Sequence, residues 1–286
     1  EKIAKWLAAL RSDLPDIHIA YCPERVLPGQ ILQELVNNDR VIGGLTPTCA
    51  KKAAELYATF VKGECKLTTS HTAEMIKLAE NAYRDVNIAF ANELSMVCDD
   101  LNIDTMDVIN LANHHPRVKI LNPGPGVGGH CIAIDPWFII DSAPERTKLM
   151  RAAREVNLSK PRFVVEKVKQ AIQDLDNPTI ACMGLTFKPN VDDLRESPAL
   201  EIIETLTKDI QPANFFIVEP HIKQLPKCLR EQSWVKLVDF SIAVKEANLM
   251  VYLVDHDAFR GDKKHVLSNQ KYLDFRGNVK DDKYFR

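Results

Sequence analysis

The sequence predicts an α/β protein in three parts: the tail of one α/β domain, a helical middle domain built on a long central helix, and a C-terminal doubly wound parallel-sheet domain. Three observations carry this. Apolar residues recur at spacings of three and four across residues 70–99, a helical period held well beyond ordinary globular length. After Asp176-Asn177-Pro178, short apolar runs alternate with helical stretches, the pattern of a parallel sheet covered on both faces. Residues 1–68 hold strand and helix pieces, too few strands for a doubly wound sheet, and no glycine-rich phosphate loop.

Residues 17–21 read as a short strand ending at Cys22-Pro23, and residues 41–44 as another running into a turn. Thr46-Pro47 opens a helix, a capping residue followed by proline at the first position, extending to about Lys62. Residues 65–68 form one more strand. The long helix follows, with Met75, Leu78, Ala82, Val86, Ala89, Phe90, Leu94 and Val97 on its repeat; its length suggests a spine between domains or a dimer contact. Residues 103–113 continue as a shorter helix. Residues 148–174 are helical again, and Pro161, which lacks an N–H, predicts a break or kink near Lys160. The C-terminal strands are 179–187, 214–220, 249–254 and 271–275, with helices from Ser197-Pro198 to about residue 209 and over 241–247. Lys188, Glu219 and Asp255-His256 fall at carboxyl ends of strands, where such sheets bind ligands.

The totals narrow the function. A chain of 286 residues can hold two domains, and 45% hydrophobic with 27% charged residues is ordinary for a globular protein. A net charge of -2 argues against a general nucleic-acid or membrane-surface role. No apolar run is long enough to span a bilayer, and the first residues show no signal-peptide pattern and no initiator methionine. Seven cysteines are scattered without a CxxC pair, so they read as reduced cytosolic thiols, mostly core fillers. His114-His115 have no third ligand near in sequence, and no metal site is expected.

The segment Gly124-Pro125-Gly126-Val127-Gly128-Gly129-His130-Cys131-Ile132-Ala133-Ile134-Asp135-Pro136 is the most suggestive. Its glycines let the backbone approach a ligand and present the next side chain to it. If Cys131 begins a helix, Cys131 and Asp135 share a face at i and i+4, joining a thiol to an acid/base group, as covalent attack on a carbonyl carbon needs. A glycine turn ahead of an ordinary buried cysteine is the competing reading. Lys77 and Asn81 also stand one helical turn apart, and Glu24 follows a strand in a proline-bounded loop; taken singly, the pair reads as two solvated helix residues, and Glu24 equally as a catalytic carboxylate or a helix cap.

In order along the chain, these motifs resemble the UDP-glucose/GDP-mannose dehydrogenase family. The markers are Pro23-Glu24, Lys77 with Asn81, Gly128-Gly129-His130-Cys131, Asp135-Pro136, and the run from Gly184-Leu185-Thr186-Phe187-Lys188-Pro189 to Ser197-Pro198. Cys22-Pro23-Glu24-Arg25-Val26-Leu27-Pro28-Gly29 and the 123–131 loop are most similar to the bacterial UDP-N-acetyl-D-mannosamine dehydrogenase branch. The resemblance implies three parts: 1–68 as the remnant of a Rossmann-like NAD-binding domain, 69–174 as a central dimerisation and catalytic domain, and 175–286 as a UDP-sugar-binding domain. It also implies that Glu1 lies inside the NAD-binding domain, whose glycine fingerprint is absent.

The activity so implied is NAD-dependent oxidation of a nucleotide sugar at C6 to the acid, in a cytosolic homodimer paired through the long helix. Cys131 would be the nucleophile, Lys77 and Asn81 would stabilise the oxyanion, and Asp135 and Glu24 would manage protons and the hydrolytic water. Arg25, Arg117, Gly128, Phe187, Lys188 and Arg276 would contact substrate, with Arg117 reaching the neighbouring subunit's sugar nucleotide, and Arg195 would contact NAD. Three alternatives stand beside this: a UDP-sugar-binding and dimerisation module without turnover, a UDP-glucose 6-dehydrogenase, and a cysteine hydrolase using Cys131 with His130 or His115. The sequence leaves the sugar epimer open.

Overall fold

The computed structural model describes residues 2–10, 17–26, 30–259 and 271–276. The Leu27-Pro28-Gly29 end of the Pro-Glu motif lies outside the described residues. The chain divides into two compact units, Glu1–Asn81 and Ala82–Arg286, the boundary falling within one helix.

The first unit contains α1 (Lys2–Leu10), β1 (Ala20–Tyr21), α2 (Ile31–Asn37), β2 (Arg40–Gly44), α3 (Pro47–Tyr57), β3 (Cys65–Thr69) and the first turns of α4 (Ser70–Asp100). Its sheet has the order β1-β2-β3, with β1 antiparallel and β3 parallel to β2. The Thr46 hydroxyl accepts a hydrogen bond from Cys49 N at 3.2 Å, capping α3 ahead of Pro47 as expected. The helix ends at Tyr57 rather than near Lys62, because Thr59 N and Phe60 N close three-residue turns onto Leu56 O and Tyr57 O. The predicted strand at 17–21 shrinks to Ala20–Tyr21, which stands in register with Gly44 and Gly43 at the end of β2.

The second unit continues with the rest of α4, α5 (Thr105–Ala112), α6 (Asp135–Ser142), α7 (Lys148–Ile172), β4 (Thr179–Met183), α8 (Pro198–Asp209), β5 (Asn214–Val218), α9 (Lys227–Arg230), β6 (Val235–Leu237), α10 (Phe240–Glu246), β7 (Leu249–Tyr252) and β8 (Lys271–Asp274). Its five strands are all parallel, in the order β6-β5-β4-β7-β8. Alternation along the strands separates two apolar layers. Ile180, Cys182, Leu249 and Val251 pack with Val164 and Val168 of α7 and with Ile202 and Leu206 of α8. Ala181, Met183, Met250 and Tyr252 pack on the opposite face with Ala243 and Ala247 and with Phe259.

Several sequence expectations need correction. Helix α7 runs unbroken through Pro161, which is buried beside Lys160, Val164 and Val165; packing along that face outweighs the lost N–H. The helix at 135 begins at Asp135, so Cys131 lies in the turn before it rather than within it. Strand β4 stops at Met183, because Gly184 turns with φ +93. Strand β7 stops at Tyr252, because Leu253 N and Val254 N both donate to Met183 O at 3.0 Å, which ends the ladder. Strand β6 and helix α2 were not expected. Of the seven cysteines only Cys49, Cys98 and Cys182 are buried, so most are not core fillers. Among the described residues no helix is long and apolar enough to cross a membrane.

Gly184 has two reasons to be glycine: its positive φ, and a Cβ that would stand 2.3 Å from Val254 Cβ. Gly184→Ala is expected to destabilise the chain by about 2 kcal/mol or more. Urea unfolding measures this, and an unchanged midpoint would contradict the account.

Candidate active site

Within the first unit, the loop after β1 and the start of α4 bring together two of the predicted site residues. Lys77 Nζ donates to Glu24 O at 2.7 Å and lies 3.8 Å from the Glu24 carboxylate. That carboxylate in turn accepts a hydrogen bond from Val26 N. Arg25 forks onto Glu80, with Nη2 2.7 Å from Oε1 and Nε 3.2 Å from Oε2. Asn81 is buried one turn beyond Lys77. The lysine is thus held by the backbone of the loop that carries Glu24, with its charge close to a carboxylate.

In the second unit the glycine-rich loop is clamped from several sides. Cys131 O accepts from Ile134 N at 3.1 Å and Asp135 N at 2.8 Å, so the half-buried cysteine and aspartate stand one turn apart at the entry to α6. Gly129 has φ +82, and a Cβ there would stand 2.8 Å from the Phe187 ring. A Cβ on Gly128 would stand 2.2 Å from Glu196 O, and one on Gly124 would stand 2.6 Å from Arg276 Nη1. Glu196 itself has φ +50, a strained conformation for a residue with a side chain. The structure therefore gathers Gly128, Phe187 and Arg276 around the loop that presents Cys131.

Lys188 lies 5.5 Å over the Phe187 ring and is half-buried. Burial pulls the Arg276 guanidinium below its ordinary pKa, opposed by Asp255 and Asp274. Arg195 is exposed and forks onto Asp193, with Nη2 to Oδ2 at 2.6 Å; that hydrogen bond holds the Asp193 carboxyl down at about 2. Arg117 is exposed, its backbone N–H 3.4 Å from His115 Nδ1.

A buried polar chain behind the glycine loop escaped the sequence reading. Asp85 and Arg154 form a 2.6 Å ion pair, both nearly inaccessible. Asn157 Nδ2 donates to Asp85 Oδ1 at 2.8 Å, and Asn92 Nδ2 donates to Asn157 Oδ1 at 2.9 Å. Asn92 Oδ1 completes the chain by accepting from Gly124 N at 2.8 Å. Nearby, buried Lys160 donates to Ser95 Oγ at 2.6 Å. Burial raises the Asp85 carboxyl above its ordinary value, with Arg154 opposing the rise. The available signal was polar residues at helical spacing inside the apolar stripes of α4 and α7: Asp85 with Asn92, and Arg154 with Asn157 and Lys160.

Residues 1–61 match the NAD binding domain, 71–159 the central domain and 181–281 the UDP binding domain of the UDP-glucose/GDP-mannose dehydrogenase family. The chain belongs to that family. It is 53% identical, over 97% of its length, to a protein of Ralstonia nicotianae named NDP-N-acetyl-D-galactosaminuronic acid dehydrogenase, of which it covers 67%. It is 52% identical, also over 97% of its length, to the UDP-N-acetyl-D-mannosamine dehydrogenase of Escherichia coli K12, of which it covers 69%. The structure of a UDP-D-ManNAc dehydrogenase from Pyrococcus horikoshii superposes with TM-score 0.83 at 35% identity, covering 98% of this chain and 66% of that one. The chain thus spans about two thirds of these relatives.

The family's cofactor is NAD. The described residues that match its binding domain do not form a pyrophosphate cradle of their own. The two glycines closing β2 are filled by protein: a Cβ on Gly43 would stand 2.5 Å from Ala73 Cβ, and one on Gly44 would stand 2.4 Å from Ala50 N. These glycines serve helix packing, and no reaction step is assigned to them.

Lys160 offers a pH test. Burial draws its amine down from 10.5 to about 8, with Asp99 opposing. Between those values the unfolded chain holds a proton that the folded one lacks, so stability from this group rises with pH across the window and is lost below it. The stability of wild type relative to Lys160→Met is expected to increase between pH 8 and pH 10. A difference that stays flat in paired urea titrations would refute the burial of this amine.

Proposed function

We propose that this chain carries the substrate-handling part of an NAD-dependent UDP-sugar dehydrogenase that oxidises UDP-N-acetyl-D-mannosamine at C6 to the uronate, for surface polysaccharide synthesis. The observation that carries the reading is the clamped glycine loop, which presents Cys131 with Asp135 one turn on. NAD, when bound, supplies the hydride acceptor, two molecules being reduced per sugar. This chain's residues do the rest. The Cys131 thiolate adds to the C6 aldehyde, forming a C–S bond and a thiohemiacetal oxyanion. Lys77 and Asn81 stabilise that oxygen by charge and hydrogen bonding. Loss of the second hydride leaves a thioester. Water, activated through Asp135 and Glu24, cleaves the C–S bond and releases the acid with the thiol restored.

Arg25, Gly128, Phe187, Lys188 and Arg276 bind the nucleotide sugar, Arg117 reaches the sugar nucleotide of a neighbouring subunit, and Arg195 meets the cofactor. The division into 1–68, 69–174 and 175–286 follows these roles. A homodimer through α4 is supported by exposed Tyr83, Phe90 and Val97, spaced seven residues apart along that helix.

The galacto epimer is the second reading of the substrate, supported by the name of the Ralstonia relative at similar identity. Calorimetric titration with UDP-N-acetylmannosamine, UDP-N-acetylgalactosamine and UDP separates the two readings by which sugar binds more tightly than UDP. Cys131→Ser is expected to lower NAD-dependent acid formation by at least about a thousandfold while nucleotide-sugar affinity stays near wild type. Undiminished acid production, followed by NADH formation and by chromatography of the product, would refute the thioester route.

A further inference from the structure

The loop of residues 185–190, which carries Phe187 and Lys188, is tied down by two buried groups from neighbouring strand ends. Glu219, the residue after β5, directs Oε2 at Leu185 N (2.7 Å) and Thr186 N (3.2 Å), and its Oε1 accepts from His221 N at 3.0 Å. His256, beyond the end of β7, places Nε2 2.9 Å from the same Glu219 Oε2. Both side chains are fully buried. His256 Nδ1 lies 3.0 Å from Asn190 N.

That last contact fixes the imidazole tautomer. A backbone N–H can only donate, so Nδ1 must be unprotonated, which leaves the proton on Nε2, aimed at the Glu219 carboxylate. The far end of the loop is strained, with Asn190 at φ +59. It is closed by a reciprocal clasp: Asn190 Nδ2 donates to Asp257 Oδ2 at 2.8 Å, and Asp257 N donates to Asn190 Oδ1 at 3.0 Å. Between the two anchors Thr186 Oγ1 donates to Lys188 O at 2.9 Å and lies 3.3 Å from His256 Nε2.

We propose that Glu219 and His256 are positioning residues for nucleotide recognition. The carboxylate gathers the start of the loop, and the neutral imidazole bridges that carboxylate to the loop's end, so that Lys188 is delivered to a diphosphate already ordered. The proposal rests on the reading of Lys188 as a nucleotide contact. Ordering the loop before binding spares the complex that entropy, so loosening it weakens affinity without touching the ligand.

Two measurements test this in the chain as it stands. Long-range proton–nitrogen NMR of His256 should show a neutral ring protonated at Nε2; a ring protonated at Nδ1, or at both nitrogens, near neutral pH would overturn the hold on Asn190. Calorimetric titration with UDP compares wild type, Lys188→Ala, His256→Ala and His256→Asn, each checked for folding by circular dichroism. His256→Ala should weaken UDP binding about tenfold, the scale of one lost buried hydrogen bond. His256→Asn, whose amide oxygen can still accept from Asn190 N, should recover most of that affinity. If His256→Ala binds UDP as wild type does while Lys188→Ala is impaired, the positioning role is wrong. If Lys188→Ala binds UDP undiminished, the nucleotide reading of the loop is what fails.

Discussion

A charge pair without access to water governs the larger unit. Asp85 and Arg154 meet at 2.6 Å in a region that gives neither a hydration shell. Such a pair is a poor source of net stability, since taking both charges from water costs about what their attraction returns. Its effect is to permit one arrangement of α4 against α7. A slip of either helix would leave a buried charge unmatched. The asparagines carry that precision outward: Asn157 reads Asp85, Asn92 reads Asn157, and Gly124 N reads Asn92. The entrance to the cysteine loop is thereby registered to the helical frame without any side chain of its own.

The same loop is registered on its other side by the sheet domain. Phe187 fills the space that side chains at Gly129 would need, and Glu196 O crowds Gly128. Phe187 in turn belongs to a loop fastened by Glu219 and His256. Chemistry and recognition thus draw on flexible segments, each pinned by buried polar groups on regular elements. This is how loops reach the precision that a reacting geometry requires.

Legibility in the sequence followed the range of the interaction. Caps and helix starts at Thr46-Pro47 and Ser197-Pro198 were plain, because a hydroxyl and a proline act on the next few residues. The parallel sheet was plain from alternating apolar runs. The end of β7 was not, since it depends on the Leu253 and Val254 N–H groups both donating to Met183 O of another strand. At Pro161 the local rule says break or kink, and burial along α7 keeps the helix unbroken. At the site, Cys131 with Asp135 could be seen in a single motif. The contact of Lys77 with Glu24 joins positions 53 residues apart, and Asp85 and Asn92 look like surface residues until the packed face of α4 is known.

The strand order β6-β5-β4-β7-β8 has a consequence for how the chain is made. The first strand of that sheet to leave the ribosome is the central one. Each later strand is added at an open edge: β5 and then β6 on one side, β7 and then β8 on the other. No strand has to wedge between two that are already paired. Parallel sheets assemble slowly, because every pairing waits on a long crossover. Here growth from the centre gives β5 a partner as soon as it emerges, whereas the second edge of β4 stays bare until β7 is made, and that interval is when it could pair with the wrong chain.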